Sequence, residues 1–128
     1  MLRPKALHHV ALSGADMDKT LHFYQALGFT LLRTSGPDAD GVRSAVLRIG
    51  EQELNVFHKL ALVPDDAENR PGMHHYCLDM DAESMDDLVA ELGEAGLCIV
   101  RGPVKRRDGI SAFVHDPDGV RVELRIGQ

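Results

Sequence analysis

The chain repeats itself. Leu7-His8-His9-Val10 returns as Met73-His74-His75-Tyr76, and each histidine pair leads into a helix-like stretch closed by a glycine. The glycines open similar runs, Gly28-Phe29-Thr30-Leu31-Leu32-Arg33 and Gly96-Leu97-Cys98-Ile99-Val100-Arg101. Each half closes on a matching triplet, Leu54-Asn55-Val56 and Val122-Glu123-Leu124. The offset is 66 residues at His9 and His75 and 68 at Asn55 and Glu123, so a two-residue indel separates the copies. An internal repeat means two copies of one supersecondary unit, with equivalent side chains at equivalent points.

Periodicity supplies the unit. Residues 6–12 alternate as a strand, and Asp16 is placed to cap a helix over 17–27. Met17, Leu21, Tyr24 and Leu27 share one helical face and are assigned to the core, with Phe23 beside them. Gly28 ends the helix and Phe29 to Arg33 reads as a strand. Gly36 to Gly41 is a turn or loop, and strands over 43–49 and 53–58 follow around Gly50-Glu51-Gln52. The order is β-α-β-β-β.

The polar stretch 64–72, with prolines at both ends, reads as a linker between a first module over about 5–63 and a second over about 73–127. The second module predicts a strand over 73–80, then a helix capped by Asp81 or Ser84 with Met85, Leu88, Val89 and Leu92 buried. Strands near 97–101, 110–115 and 120–126 complete it, the last two joined by the hairpin turn Asp116-Pro117-Asp118-Gly119. The expected fold class is α+β, with two βαβββ modules in a single domain of 128 residues. Neither module buries its sheet and helix alone, so the two must pair within one chain or across a dimer. A symmetric homodimer is expected because cyclic dimers are the commonest assembly.

Composition removes several function classes. A net charge of −6, from 20 acidic and 14 basic residues, argues against nucleic-acid or anionic-membrane partners. No apolar run approaches membrane-spanning length, and the N-terminus lacks the apolar stretch of a signal peptide. Cys77 and Cys98 lie in apolar runs without CxxC spacing, which fits reduced thiols and a cytoplasmic protein.

Strand alternation then sorts the polar residues. In the first strand His9 shares a face with Leu7 and Ala11, and His8 is expected to point to the helix layer with Val10 and Leu12. In the last strand Val122 and Leu124 face the helix, so Glu123 faces away, and Asn55 does likewise between Leu54 and Val56. The repeat thus suggests four positions on one shared sheet face: His9, Asn55, His75 and Glu123. Two imidazoles and a carboxylate suit a divalent metal, either Fe(II) in a facial triad or Zn(II), with Mn, Ni and Co also compatible. A strand histidine taken alone is more often structural, and a glutamate between Arg121 and Arg125 is often one member of a surface ion-pair set. Repeat-equivalent placement favours the metal. His74, like His8, is assigned to the opposite face. Cys77, two residues after His75, reads as a small apolar filler. Lys105, Arg106 and Arg107, ahead of the Asp108-Gly109 turn, are either a solvated loop or a clamp for a substrate carboxylate or phosphate.

The sequence His9-Val10-Ala11-Leu12, Phe23-Tyr24, Leu27-Gly28-Phe29, Phe113-Val114-His115-Asp116-Pro117-Asp118-Gly119 and Val122-Glu123-Leu124 resembles the vicinal oxygen chelate superfamily. That group includes glyoxalase I, extradiol dioxygenases, methylmalonyl-CoA epimerase, fosfomycin-resistance enzymes and bleomycin-resistance proteins. The resemblance spans nearly the whole chain, and its closing motif is specific for the superfamily but not for one reaction. It implies paired βαβββ modules forming a cupped mixed sheet, with metal ligands on the first and last strands of each module. Ligand positions fall on His9, His75 and Glu123, and the remaining one on Asn55. Glyoxalase I carries Glu there, whereas an amide is a poor ligand and no base at neutral pH. Extradiol enzymes carry a tyrosine where this chain has Phe113. The fosfomycin enzymes have a Thr at Ala11 and an ion-and-phosphonate loop that Lys105-Arg106-Arg107 does not reproduce.

The resemblance therefore implies a metal-dependent enzyme acting on a small molecule that chelates through adjacent oxygens. Glyoxalase-like lyase or isomerase chemistry is favoured over a dioxygenase using Fe(II). His9, His75 and Glu123 are the expected ligands; Asn55 and His58 are the expected polar and acid–base residues beside them. A metal-free ligand-binding protein of the bleomycin-resistance type is the rival, and the two His-rich strands argue against it.

Overall fold

A computed structural model describes residues 1, 3, 7–39, 41–58 and 74–127. The chain divides into two compact units, Met1–Leu62 and Val63–Gln128, and each repeats the same topology. The expected linker over 64–72 lies outside the described residues.

In the first unit the elements are β1 (His9–Gly14), α1 (Met17–Leu27), β2 (Thr30–Ser35), β3 (Arg43–Ile49) and β4 (Gln52–His58). The sheet order is β1-β4-β3-β2, with β1 parallel to β4 and the other pairs antiparallel. Asp16 caps α1 as expected, its carboxylate accepting from Lys19 N at 3.1 Å. Gly28 ends α1 at φ 113°, where the N–H of Phe29 closes onto Tyr24 O at 2.9 Å. Met17, Thr20, Phe23, Tyr24 and Leu27 are buried, while Leu21 is only half-buried. Tyr24 packs edge-on against Phe23 and Phe29, ring centroids 5.0 and 5.4 Å away. Beneath them Leu47, Leu54 and Val56 are among the most deeply buried side chains.

The second unit has β5 (Tyr76–Asp79), α2 (Met85–Glu94), β6 (Arg101–Arg106), β7 (Gly109–His115) and β8 (Arg121–Gly127). Its order, β5-β8-β7-β6, with β5 parallel to β8, copies the first. Ser84 caps α2, its hydroxyl accepting from Asp87 N at 3.1 Å. The hairpin turn is as expected. Asp116 accepts the backbone N–H groups of Asp118 and Val120 at 2.9 and 2.8 Å, and Gly119 takes φ 82°.

Several boundaries move. β1 begins at His9, and the earliest residues of the expected strand lie partly outside the described residues. His74 and His75 precede β5 rather than sitting inside it. The strand expected over 97–101 is instead Arg101–Arg106. The helix end holds residue 97 back, because Leu97 N is bonded to Leu92 O at 2.9 Å. Val89 is exposed rather than part of the buried stripe of α2, which is Met85, Leu88 and Leu92.

Candidate functional site

Position 123 is one rung of a cross-strand row. In register, Arg101 of β6 faces Phe113 of β7, Phe113 faces Glu123 of β8, and Glu123 faces Cys77 of β5. Side chains directly opposite in a ladder share a face. Val122 and Leu124, on the other face, are fully buried.

The carboxylate of Glu123 is held at both oxygens. Oε2 accepts the Ser111 hydroxyl at 2.7 Å, and Oε1 lies 3.1 Å from His75 Nε2. Ser111 is fully buried, and the side chains of His75 and Glu123 keep 34% and 14% of their exposure, so the pair is open to solute from one side. The His75 ring stands edge-on to Phe113, centroids 6.1 Å apart. Its Nδ1 lies 2.8 Å from His74 Nδ1, and a proton must sit between these two nitrogens. Where His74 supplies that proton, His75 Nε2–H donates to Glu123. Where His75 supplies it, its Nε2 either carries a second proton and donates to Glu123 or presents a lone pair that needs a cation between it and the carboxylate.

The first unit carries the reduced counterpart of this arrangement. His9 Nδ1 lies 2.9 Å from His8 Nδ1, which repeats the His74–His75 contact. Asn55 occupies the position of Glu123, in register with Ala11 and Val46. Its Oδ1 is buried and has no partner among the described residues. An unmet buried amide oxygen costs about 1–3 kcal/mol, which a bound donor or cation would offset. His8 and His74 are exposed and lie against their neighbours' rings, rather than turning to the helix layer as expected. His8 precedes β1 and His74 precedes β5, so strand alternation does not fix the face of either.

His58 is not gathered with Asn55. Three residues along β4, it falls on the face of Leu54 and Val56, and its Nε2 lies 3.0 Å from Ala15 O, at the entry to α1. Lys105 and Arg106 end β6 and Arg107 opens the turn; all three are exposed. Only Arg106 turns to the row, its guanidinium 5.7 Å from the Phe113 centroid, joined there by Arg101 at 5.5 Å and Arg121 at 5.8 Å. Partial desolvation, then the Glu123 and Asp79 carboxylates, push the Cys77 thiol up to about 11, although the residue as a whole is exposed.

Sequence reasoning missed Ser111, Arg101 and Arg121. The signal for Ser111 was present, since Ser44-Ala45-Val46 and Ser111-Ala112-Phe113 occupy equivalent rungs. For Arg101 it was the match with Arg33, which faces Val46 as Arg101 faces Phe113.

The donor set fits a divalent ion in chemistry, a carboxylate and an imidazole nitrogen converging in the second unit. Among the described residues no three His, Cys, Asp or Glu side chains gather at one point.

The sequence pattern of the Glyoxalase/Bleomycin resistance protein/Dioxygenase superfamily matches residues 6–124. The chain belongs to that superfamily. Its relatives include the glyoxalase domain-containing protein RDO1 of Mycosarcoma maydis, 32% identical over 96% of this chain and 69% of that protein. A probable lactoylglutathione lyase of Synechocystis is 30% identical over 92% of each chain. Among solved structures, a glyoxalase family protein from Enterococcus faecalis superposes with a TM-score of 0.80 at 27% identity, covering 94% of this chain and 97% of that one. Among the described residues no helix is long and apolar enough to cross a membrane.

Proposed function

We propose that this superfamily member is a divalent-metal-dependent enzyme acting on a small molecule with adjacent oxygens, by lyase or isomerase chemistry. The observation that carries the reading is the Ser111–Glu123–His75 relay, a carboxylate fixed at one oxygen and facing an imidazole with the other. His75 and Glu123 are the second unit's donors, and His9 is the repeat-equivalent donor of the first. Fe, Mn, Ni, Zn and Co all suit this set.

A bound ion would act as Lewis acid on the substrate oxygens. The protein's own part is positional. Ser111 ties Glu123 Oε2, so Oε1 is the oxygen left to bind the ion or hold a substrate proton. Asn55 Oδ1, unmet among the described residues, orients a substrate hydroxyl or a water. Phe113 screens the His75 ring and has no hydroxyl to give, which favours lyase or isomerase chemistry over dioxygenation. The relatives named as lactoylglutathione lyases support the same side. Of Lys105, Arg106 and Arg107, only Arg106 turns to the row and supplies positive charge there for an acidic substrate group. His58 acts at a distance from the chemistry, fixing the β1–α1 junction through Ala15.

Metal content tests the proposal. Untagged protein purified without chelator is expected to hold near-stoichiometric metal, which the Glu123→Ala, His75→Ala and His9→Ala variants lose while keeping their circular dichroism. Sedimentation of the same samples is expected to show a homodimer of two 14.1 kDa chains. No metal in the wild type, even after anaerobic reconstitution with each ion in turn, sinks the enzyme reading and leaves metal-free ligand binding.

A further inference from the structure

Three guanidinium groups crowd one ring in a protein whose net charge is −6. Arg101, Arg106 and Arg121 place their central carbons 5.5, 5.7 and 5.8 Å from the Phe113 centroid. No two of them can be further apart than the sum of two such distances, close to the range over which salt screens charge. Attraction to the ring offsets part of their mutual repulsion. Carboxylates do not: among the described residues neither Arg101 nor Arg106 has an acidic partner, and the carboxylate of the row, Glu123, is engaged by His75 and Ser111.

Arg125 is the control within the same strand. It lies two residues beyond Glu123 on the same face, and it is neutralised twice, by Asp79 and by Asp108, the latter at 2.9 Å. Where an arginine of this face serves structure alone, the fold supplies carboxylates. At Phe113, Arg101 and Arg106 have no such carboxylate among the described residues, and a planar fork is suited to bidentate binding of an oxyanion.

We propose that Arg101 and Arg106, gathered on the Phe113 ring beside the His75–Glu123 pair, form an oxyanion subsite, so that the substrate carries a carboxylate or a phosphoryl-type group. This rests on the proposed function for the identity of the reacting end; the subsite itself rests on the arginines. The spacing suits a small molecule. Arg101 is two strands from Glu123, roughly 10 Å between backbones at the usual strand separation, and the Arg101 guanidinium lies over the intervening ring. One end of the ligand meets the guanidinium forks while its oxygens reach Glu123 and His75. Of the three basic residues 105–107, only Arg106 belongs to this group; Lys105 and Arg107 have no contact with the ring.

The test is a nuclear magnetic resonance titration of 15N-labelled protein at constant ionic strength, with methylphosphonate, acetate and neutral acetamide as probes. Wild-type protein is expected to show saturable shifts at the β6–β8 amides and arginine Nε–H groups with methylphosphonate, acetate or both. The Arg101→Ala/Arg106→Ala double variant is expected to bind roughly tenfold more weakly. Both residues are exposed, so the fold should survive. If amide dispersion is lost, the Arg101→Lys/Arg106→Lys variant replaces it and is expected to show the weakening without loss of charge. Saturation by methylphosphonate alone assigns a phosphoryl-type substrate; saturation by acetate alone assigns a carboxylate. Absence of saturable shifts in the wild type, equal affinity in the variants, or an equal response to acetamide overturns the subsite. Metal content is measured on the same samples. Metal without oxyanion shifts sinks the subsite and leaves the enzyme reading; oxyanion binding without metal does the reverse.

Discussion

Ser111 shows how much one buried hydroxyl decides. It is fully buried, and its single acceptor is Glu123 Oε2 at 2.7 Å. A hydrogen bond to an ionised carboxylate contributes about 1.5–3 kcal/mol, so Ser111→Ala should lower the denaturation midpoint by a corresponding amount. Partners that orient a metal ligand typically change metal affinity 10- to 100-fold, roughly the loss expected in a competition titration of this variant. An unchanged affinity would mean that Glu123 does not bind the ion through the orientation Ser111 imposes. Cys77, on the next rung, reports the same carboxylate. With its thiol held up at about 11, the folded protein keeps the proton across the range in which an ordinary cysteine ionises. At pH 8 alkylation should run roughly tenfold slower than that of free cysteine, after allowing for the greater nucleophilicity of a high-pKa thiolate. Glu123→Gln removes one of the raising charges, so it should speed the reaction, as measured by peptide-level mass spectrometry. Burial of the thiol is the larger cause, so the free-cysteine rate should not be reached.

At the scale of elements, the β7–β8 hairpin carries the relay, and its register is pinned at both ends. Asp116 closes the turn with two accepted backbone N–H groups. At the far end Gly109 opens β7, and a Cβ there would overlap the backbone oxygen of Ile126. The obstacle is main chain, which cannot rotate away as a side chain can. Gly109→Ala should therefore cost about 1–3 kcal/mol, as overpacked positions do, and shift β7 against β8. Because Ser111 sits two residues along β7, the same variant should lose metal affinity with its fold retained. Thermal melts and metal titration together separate the two effects; a normal melt with normal affinity would show that the hairpin accommodates the methyl group.

Across the whole molecule, the twofold repeat is both the fold and the source of the candidate donors. Each sheet is ordered first-last-third-second, each first strand runs parallel to the last, and a histidine pair lies at or just before the start of each first strand. A ligand that binds only folded protein stabilises it by mass action, by about 2.7 kcal/mol at a hundredfold excess over its dissociation constant. Adding the cognate metal should raise the melting temperature of metal-stripped wild type, and Glu123→Ala should abolish that rise. An equal rise in both proteins would place the ion elsewhere.

Much of this was legible before any coordinates. The βαβββ order, the Asp16 cap, the helix α1 and the Asp116 turn follow from local chemistry: a carboxylate where a helix lacks acceptors, a glycine where φ turns positive. The second cap narrows in sequence only to Asp81 or Ser84, and is Ser84. Strand alternation also assigned Glu123 to the face away from Val122 and Leu124, because pleat geometry is a property of the strand alone. What alternation could not supply was the partner across the ladder. That Glu123 meets Ser111 and His75, that Phe113 collects arginines from three positions, and that His58 turns to Ala15 all depend on register. Register is set by turns and a bulge between Arg101 and Val104, not by the residues themselves. Local sequence determined which side chains could share a face; only the paired strands decided which of them touch.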